Sequence, residues 1–91
     1  MLHIVAYDIA DDRRLRRVAR ICEDYGIRIE KSVFECNLED MVFAEFWGKV
    51  AATICKEEDG VIDYPVGQIE RERIRTLGIT KHNEAQETYV F

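Results

Sequence analysis

The feature that most constrains the fold is an almost unbroken apolar run at residues 2–7, Leu-His-Ile-Val-Ala-Tyr, which ends at Asp8. Successive side chains of a strand point to opposite faces of the sheet, and here both alternating sets are largely apolar. Such a run is typical of a central strand that is covered on both faces. The chain therefore needs a packed layer on each side of the sheet that contains this strand.

The segment after Asp8 predicts an amphipathic helix. Asp11 or Asp12 is a suitable N-cap, because a carboxylate accepts hydrogen bonds from the free N–H groups of a first helical turn. Gly26 stands where we expect a left-handed C-terminal cap. Between them, apolar residues recur at spacings of three and four, as on the buried side of a helix. These residues are Leu15, Val18, Ala19, Cys22 and Tyr25.

The rest of the chain predicts more strands and a second helix. Pro65 lies within a predicted strand and has no N–H to donate, which places that strand at an edge of the sheet or ends it there. The predicted segments are β structure at 27–38 (one bent strand or two short ones), a helix at 39–57, a strand at 61–66, a solvated strand or turn at 70–77, a polar connector at 78–87 and a β tail at 88–91.

This order predicts an α+β fold, a ferredoxin-like βαββαβ sandwich, in a single domain at residues 1–91. Residues 78–91 would form a polar connector and a short C-terminal strand. Both helices cover one face of such a sheet, yet the first strand is apolar on both. We expect the second face to be covered by the same face of another copy, in a homodimer, with residues 88–91 pairing with the partner's sheet edge.

Composition excludes several classes of protein. Hydrophobic residues make up 47% of the chain, which is enough to fold, and no apolar run approaches the ~20 residues of a membrane span. The N-terminus lacks the basic leader of a signal peptide. Cys22, Cys36 and Cys55 show no metal-binding spacing, which favours reduced thiols in a cytoplasmic protein. His3, on the apolar strand, is expected to be a packed, hydrogen-bonded residue.

Charge is unevenly distributed along the chain. The net charge is −5, but residues 13–28 hold six arginines against two acids, a local net of +4 that leaves −9 for the rest. A basic patch on an acidic body indicates contact with a polyanion at one place. Helical spacing puts most of the arginines on one face, although a solvated helix face is the alternative interpretation. The candidate nucleic-acid-binding residues are Arg13, Arg14, Arg16, Arg17 and Arg20.

Asp8 is the candidate metal ligand, because a carboxylate at a strand end faces the loops where ligands bind. In a two-fold dimer it could lie near its symmetry mate, and paired carboxylates recruit a cation. Magnesium binds one or two carboxylates together with waters and phosphate oxygens. The alternative is a turn-forming aspartate that accepts a hydrogen bond from a neighbouring backbone N–H.

Several motifs together resemble the CRISPR-associated protein 2 family: Tyr7-Asp8-Ile9 followed by Asp11-Asp12 and a basic helix, then Asp24-Tyr25-Gly26, then residues 31–36, Lys-Ser-Val-Phe-Glu-Cys. The resemblance spans essentially the whole chain. It implies a ferredoxin-like homodimer with magnesium-dependent endonuclease activity on single-stranded RNA or double-stranded DNA, in which Asp8 of both protomers holds the metal. It also implies roles in nuclease activity for Tyr7, Arg17, Arg28 and Phe34.

The same resemblance implies a part in CRISPR spacer acquisition. There the dimer sits between two dimers of the integrase, CRISPR-associated protein 1, and its basic surface holds duplex DNA. Two other functions stay open at this point: a ribonuclease similar to the VapD toxins, which share the fold, and a non-catalytic module that binds a small regulatory ligand.

Overall fold

The structure is a computed structural model that describes residues 1–79 of the 91. Its elements follow the predicted order β-α-β-β-α-β, with one short helix after the last strand. The elements are β1 (Leu2–Asp8), α1 (Asp12–Tyr25), β2 (Ile27–Glu30), β3 (Val33–Asn37), α2 (Asp40–Thr53), β4 (Gly60–Val66) and α3 (Gln68–Arg71). The α+β class is therefore confirmed, and residues 27–38 hold two short strands rather than one bent one.

The four strands form one antiparallel sheet in the order β2-β3-β1-β4. The apolar strand β1 is central, between β3 and β4, as its composition predicts. Among the described strands β4 pairs only with β1, so Pro65 lies on an edge strand of the sheet formed by residues 1–79, where its missing N–H interrupts no ladder on the outer side. The register of the β1–β4 pair places Asp8 opposite Gly60, at the end of the sheet.

The core lies between the sheet and the two long helices. Val5 and Phe34 project from the sheet and are fully buried, as are Val18 of α1 and Phe46 of α2. Burial of one such side chain contributes about 1.5–3 kcal/mol, so this layer is the main source of stability.

The opposite face of the sheet is covered by neither α1 nor α2. It carries the alternate residues of β1, including Ile4 and Ala6, and their β4 partners Tyr64 and Ile62. Tyr64 is 54% exposed and Ile62 46% exposed. The prediction that the helices leave one apolar face bare is confirmed for residues 1–79.

Gly26 differs from its predicted role, because its φ of −156° is extended rather than left-handed. Its N–H still closes α1 by donating to the Cys22 carbonyl at 2.8 Å. The glycine is needed for another reason: a Cβ there would lie 2.4 Å from the Glu35 carbonyl oxygen and 2.7 Å from Cys36 Sγ. The chain turns from α1 into β2 directly against β3, and a side chain would not fit.

Two other boundaries were predicted wrongly. The helix predicted at 39–57 ends at Thr53, because the next residues form a turn in which the Asp59 carboxylate accepts a hydrogen bond from the Cys55 N–H at 2.8 Å. Of the strand or turn predicted at 70–77, a turn is found at residues 72–73, but residues 70–71 form the end of α3, where Arg71 N–H donates to the Gly67 carbonyl at 2.8 Å. The tail at 88–91 lies outside the described residues. No helix within residues 1–79 has the length and apolar character needed to cross a bilayer.

Candidate functional site

Asp8 is the last residue of β1, and its side chain is exposed. Strand alternation puts it on the bare face of the sheet, on the same side as Ala6. It borders an open, largely apolar cavity of about 360 Å³, whose lining includes Ala6, Asp8, Gly60 and Ile62. This exposure is what the prediction of Asp8 as a metal ligand requires, because a cation can reach a carboxylate on the wall of an open cavity.

The loop after Asp8 is held by a helix cap. Asp11 is the N-cap of α1, and its carboxylate accepts a hydrogen bond from the Arg14 backbone N–H at 2.9 Å. That hydrogen bond is the main reason why the pKa of Asp11 lies below its ordinary value. Asp11 is thus occupied in starting the helix, as one of the two predicted caps.

The same loop is bound from the other side by Asp59, in the turn between α2 and β4. Its carboxylate accepts from the Ala10 N–H at 2.9 Å and from the Cys55 N–H at 2.8 Å. Arg14 donates to it from Nε at 2.8 Å and from Nη2 at 3.2 Å. The side chain has no exposed surface, and the Arg14 guanidinium is the main cause of its lowered pKa. One ionised carboxylate therefore joins three segments around the end of β1.

The arginines of α1 fall into two groups. Four exposed arginines line one hollow of about 210 Å³ on the outer side of the helix, as their spacing predicts. Arg14 lies apart, since its guanidinium is bound by Asp59 and, at 2.9 Å, by Glu58. Phosphate binding by Arg14 would therefore compete with two ion pairs inside the chain. The residues of the open group, called here the arginine face, are Arg13, Arg16, Arg17 and Arg20.

Tyr7, Arg28 and Phe34 contact one another on the helix-covered face of the sheet, opposite to the face that carries the Asp8 side chain. Phe34 is fully buried, and the Arg28 guanidinium lies 4.9 Å from the centre of its ring. Tyr7 is 7% exposed; burial raises its pKa, and a hydrogen bond with Arg28 opposes that rise. Arg28 also donates to the Lys31 carbonyl at 2.6 Å. Through these contacts the side chains of Tyr7, Arg28 and Phe34 join β1, β2 and β3 on one face of the sheet.

A scan against protein-family models matches residues 1–74 to the family described as CRISPR associated protein Cas2. The match covers most of the chain. The chain belongs to the Cas2 family.

Relatives at the sequence level agree with this assignment. A CRISPR-associated endonuclease Cas2 of Thermus thermophilus is 34% identical over 90 residues, which are 98% of this chain and 94% of the relative. A CRISPR-associated endoribonuclease Cas2 of Synechocystis is 42% identical over 65 residues, 71% of each chain.

Solved structures agree as well. The crystal structure of Streptococcus pyogenes Cas2 at pH 6.5 has a TM-score of 0.76 at 34% identity, covering 86% of this chain and 100% of the other. A hypothetical protein from Thermus thermophilus has a TM-score of 0.78 at 33% identity, covering 89% and 94%. The fold described above is therefore that of solved Cas2 structures.

The magnesium implied by the family resemblance can be tested against the donor groups at Asp8. No group of three or more His, Cys, Asp or Glu side chains suited to a metal occurs within residues 1–79. Magnesium does not require such a cage, because it retains several waters and commonly takes only one or two carboxylates and the phosphate oxygens of a substrate. The single exposed carboxylate of Asp8 fits that mode of binding, with further ligands supplied from outside the protomer.

Asp59 is the site residue that the sequence did not reveal. In the sequence Asp59 lies between the segment predicted as a helix and the next strand and precedes a glycine, a position that is ordinary for aspartate in turns. Its contact with Ala10 joins residues 49 positions apart and depends on the pairing of β1 with β4. No local pattern in the sequence could have indicated that contact.

The predictions of a packed, hydrogen-bonded His3 and of reduced cysteines are confirmed. His3 is 7% exposed, its Nδ1 lies 2.8 Å from the Asp63 carboxylate, and its ring stacks on Phe43 at 3.8 Å. The cysteines are free, and burial raises the pKa of Cys22 and of Cys36 to about 12. Thiols that stay neutral are poor nucleophiles and poor metal ligands.

Proposed function

We propose that this protein acts in CRISPR spacer acquisition as a ferredoxin-like homodimer that holds duplex DNA on the arginine face and docks the integrase, CRISPR-associated protein 1. The observation that carries the DNA-binding part is the arginine face itself. Its four guanidiniums are exposed, share one hollow and make no ion pair with an acid within residues 1–79. Arginines of this kind hold phosphates through paired hydrogen bonds without reading the base sequence.

The dimer is supported by the bare face of the sheet. An exposed apolar face beside a fully packed one is unusual in a monomer and is typical of a surface that associates. A second copy offers a face of the same shape and chemistry, which a two-fold axis would bring into contact. In that arrangement the Asp8 carboxylates of both protomers lie at the same interface.

DNA binding is tested by reversing charge on the arginine face. We expect Arg16→Glu/Arg17→Glu to weaken binding of a fluorescent 30-base-pair duplex by more than about tenfold, because phosphate contacts dominate nonspecific affinity. The matched control is Arg73→Glu/Arg75→Glu, which changes the net charge equally at exposed positions after β4. Equal losses in both variants would show that only net charge matters, and no loss in either would exclude the arginine face.

Magnesium-dependent cleavage of RNA is a second proposed function, favoured by the exposure of Asp8 on the cavity and by the names of the relatives. A bound magnesium ion would activate water and stabilise charge on the phosphodiester. Asp8 would hold the ion, and Arg17, on the outer face of the helix that follows, would hold a phosphate farther along the same strand. Tyr7, Arg28 and Phe34 would act through the strand end that they pack, since none of the three lies on the face of the sheet that carries Asp8.

The test is cleavage of end-labelled single-stranded RNA and of duplex DNA, with magnesium and with EDTA. We expect Asp8→Asn to lose activity and Asp12→Asn, an exposed aspartate four residues later, to retain it. Equal activity of wild type and Asp8→Asn, or activity that persists in EDTA, would remove Asp8 and magnesium from the mechanism.

A further inference from the structure

The Asp59 carboxylate makes more contacts than its turn requires. One hydrogen bond, from the Cys55 N–H, is enough to close the turn after α2. The other three come from elsewhere in the chain: one from the Ala10 backbone and two from the Arg14 side chain. The side chain is fully buried although it lies in a loop. These extra contacts join the α2–β4 turn to the β1–α1 loop.

Both contacted segments adjoin Asp8. Ala10 follows Asp8 by two residues. Gly60, which follows Asp59, is paired with Asp8 across the β1–β4 ladder. Ile9, between Asp8 and Ala10, is only 8% exposed and packs in the core, which anchors the same loop. The Asp59 carboxylate therefore holds the backbone just after Asp8, and the pairing with Gly60 holds Asp8 across the sheet.

The Asp59 carboxylate is hydrogen-bonded and neutralised by groups of its own chain. Its two oxygens accept four hydrogen bonds in all, so neither is left to bind a cation. Asp59 is not itself suited to hold metal, while Asp8, exposed on the cavity wall, is. The two acids have separate roles: one organises the backbone and the other presents a free carboxylate.

We infer that Asp59 is a positioning residue for Asp8, and that its hydrogen bonds to Ala10 and Arg14 hold the Asp8 carboxylate in the orientation that receives a divalent cation. The inference rests on the proposed metal-binding role of Asp8. Partners that hydrogen-bond directly to a metal ligand change metal affinity by about 10–100-fold when they are removed, and because Asp59 acts on Asp8 through the backbone we expect the lower end of that range. Arg14 belongs to the same arrangement, which explains why it is separated from the arginine face.

The test is binding of Mn²⁺, as a paramagnetic substitute for Mg²⁺, measured from the loss of the free Mn²⁺ signal in electron paramagnetic resonance. We expect Asp59→Asn to weaken Mn²⁺ binding roughly tenfold. The magnesium concentration for half-maximal cleavage should rise in parallel, while the rate at saturating magnesium changes much less. The control is Tyr25→Phe, which removes the hydrogen bond from Tyr25 to Glu45, a link between α1 and α2. It should leave Mn²⁺ affinity unchanged.

A second variant covers the case in which Asp59→Asn does not fold. Arg14→Gln removes the guanidinium contacts but leaves the hydrogen bonds from Ala10 and Cys55, and we expect a smaller loss of Mn²⁺ affinity. Wild-type Mn²⁺ affinity in the folded Asp59→Asn protein, or in Arg14→Gln if Asp59→Asn is unfolded, overturns the inference. A loss of affinity in Tyr25→Phe as large as that in Asp59→Asn overturns it too.

The outcomes separate this inference from the proposed function. If the wild type binds Mn²⁺ but cleaves neither nucleic acid, the hydrolytic function fails and the positioning role is still judged by the binding data. If the wild type binds no Mn²⁺ at all, both the metal site and the positioning role are wrong.

Discussion

At the scale of single residues, Tyr7 and Asp8 are adjacent in the sequence and point to opposite faces of the sheet. Tyr7 packs in the core with Phe34, while the Asp8 side chain is exposed on the other face. Substitutions at the two kinds of position should therefore have different effects. Changes in the packed cluster should act through stability, and changes at Asp8 should act through metal binding.

Phe34→Ala tests the first half of that distinction. The ring is fully buried against Tyr7 and Arg28, and removal of a buried phenylalanine side chain costs about 3–5 kcal/mol of the free energy of unfolding. We expect a lower urea midpoint for Phe34→Ala and an unchanged one for Asp8→Asn. A stable Phe34→Ala protein with lost activity would instead place the ring in contact with substrate.

Asp59 gives a prediction for pH. Its hydrogen bonds with Arg14 hold its pKa in the folded protein below the ordinary value, which is about 3.9 in the unfolded chain. The stability that it contributes is fully present above that unfolded value and is lost as pH falls towards the folded one. The difference in Tm between wild type and Asp59→Asn should be constant from pH 7 to about 5 and shrink below about 4. A difference that does not change between pH 7 and 2 would contradict this account.

At the scale of elements, the local pattern of the sequence predicted most of the fold. The apolar run gave the central strand, the spacing of apolar residues gave both helices, and Pro65 indicated the edge strand. Contacts between distant segments were not accessible in the same way. The reason for Gly26 lies in β3, and the roles of Arg14 and Asp59 depend on each other across the fold. For the candidate site, the sequence therefore indicated Asp8 and the arginine face but not what holds them in place.

The junction of α1 and β2 can be tested with two glycines. Gly26→Ala would bring a Cβ within 2.4 Å of the Glu35 carbonyl oxygen, and forcing such a group into a packed site costs about 1–3 kcal/mol. Gly48→Ala, within α2 where nothing lies within 4 Å of a new Cβ, should raise stability by about 0.5–1 kcal/mol. Chemical denaturation of both variants measures the contrast. Equal effects of the same sign would show that the close approach at Gly26 is relaxed in solution.

At the scale of the whole molecule, the two sides of the sheet serve different purposes. The α1 and α2 side supplies the core and carries the arginine face on its outer surface. The other side is apolar, is left bare by residues 1–79, and ends at Asp8. In the proposed dimer the bare faces meet, so the metal ligands come together inside while the arginines stay outside, where a duplex reaches them.

The bare face should be sensitive to charge. We expect Ile62→Asp to raise the dimer dissociation constant at least about tenfold, because an unpaired carboxylate would be buried in an apolar contact. Met41→Asp, at an 86% exposed position at the start of α2, is the control. Light scattering coupled to size exclusion measures both. A wild type that is monomeric at micromolar concentration, or an Ile62→Asp variant that dimerises normally, would contradict the proposed dimer.

The most direct test of the central claim, that the arginine face is the nucleic-acid interface, is the salt dependence of duplex DNA binding. Each neutralised phosphate contributes roughly 0.9 to the slope of log affinity against log salt concentration. Arg16→Gln/Arg17→Gln should therefore lower the magnitude of the slope by about 1.8 for each protomer that contacts the DNA. A slope identical to that of the wild type would show that the duplex binds elsewhere on the protein.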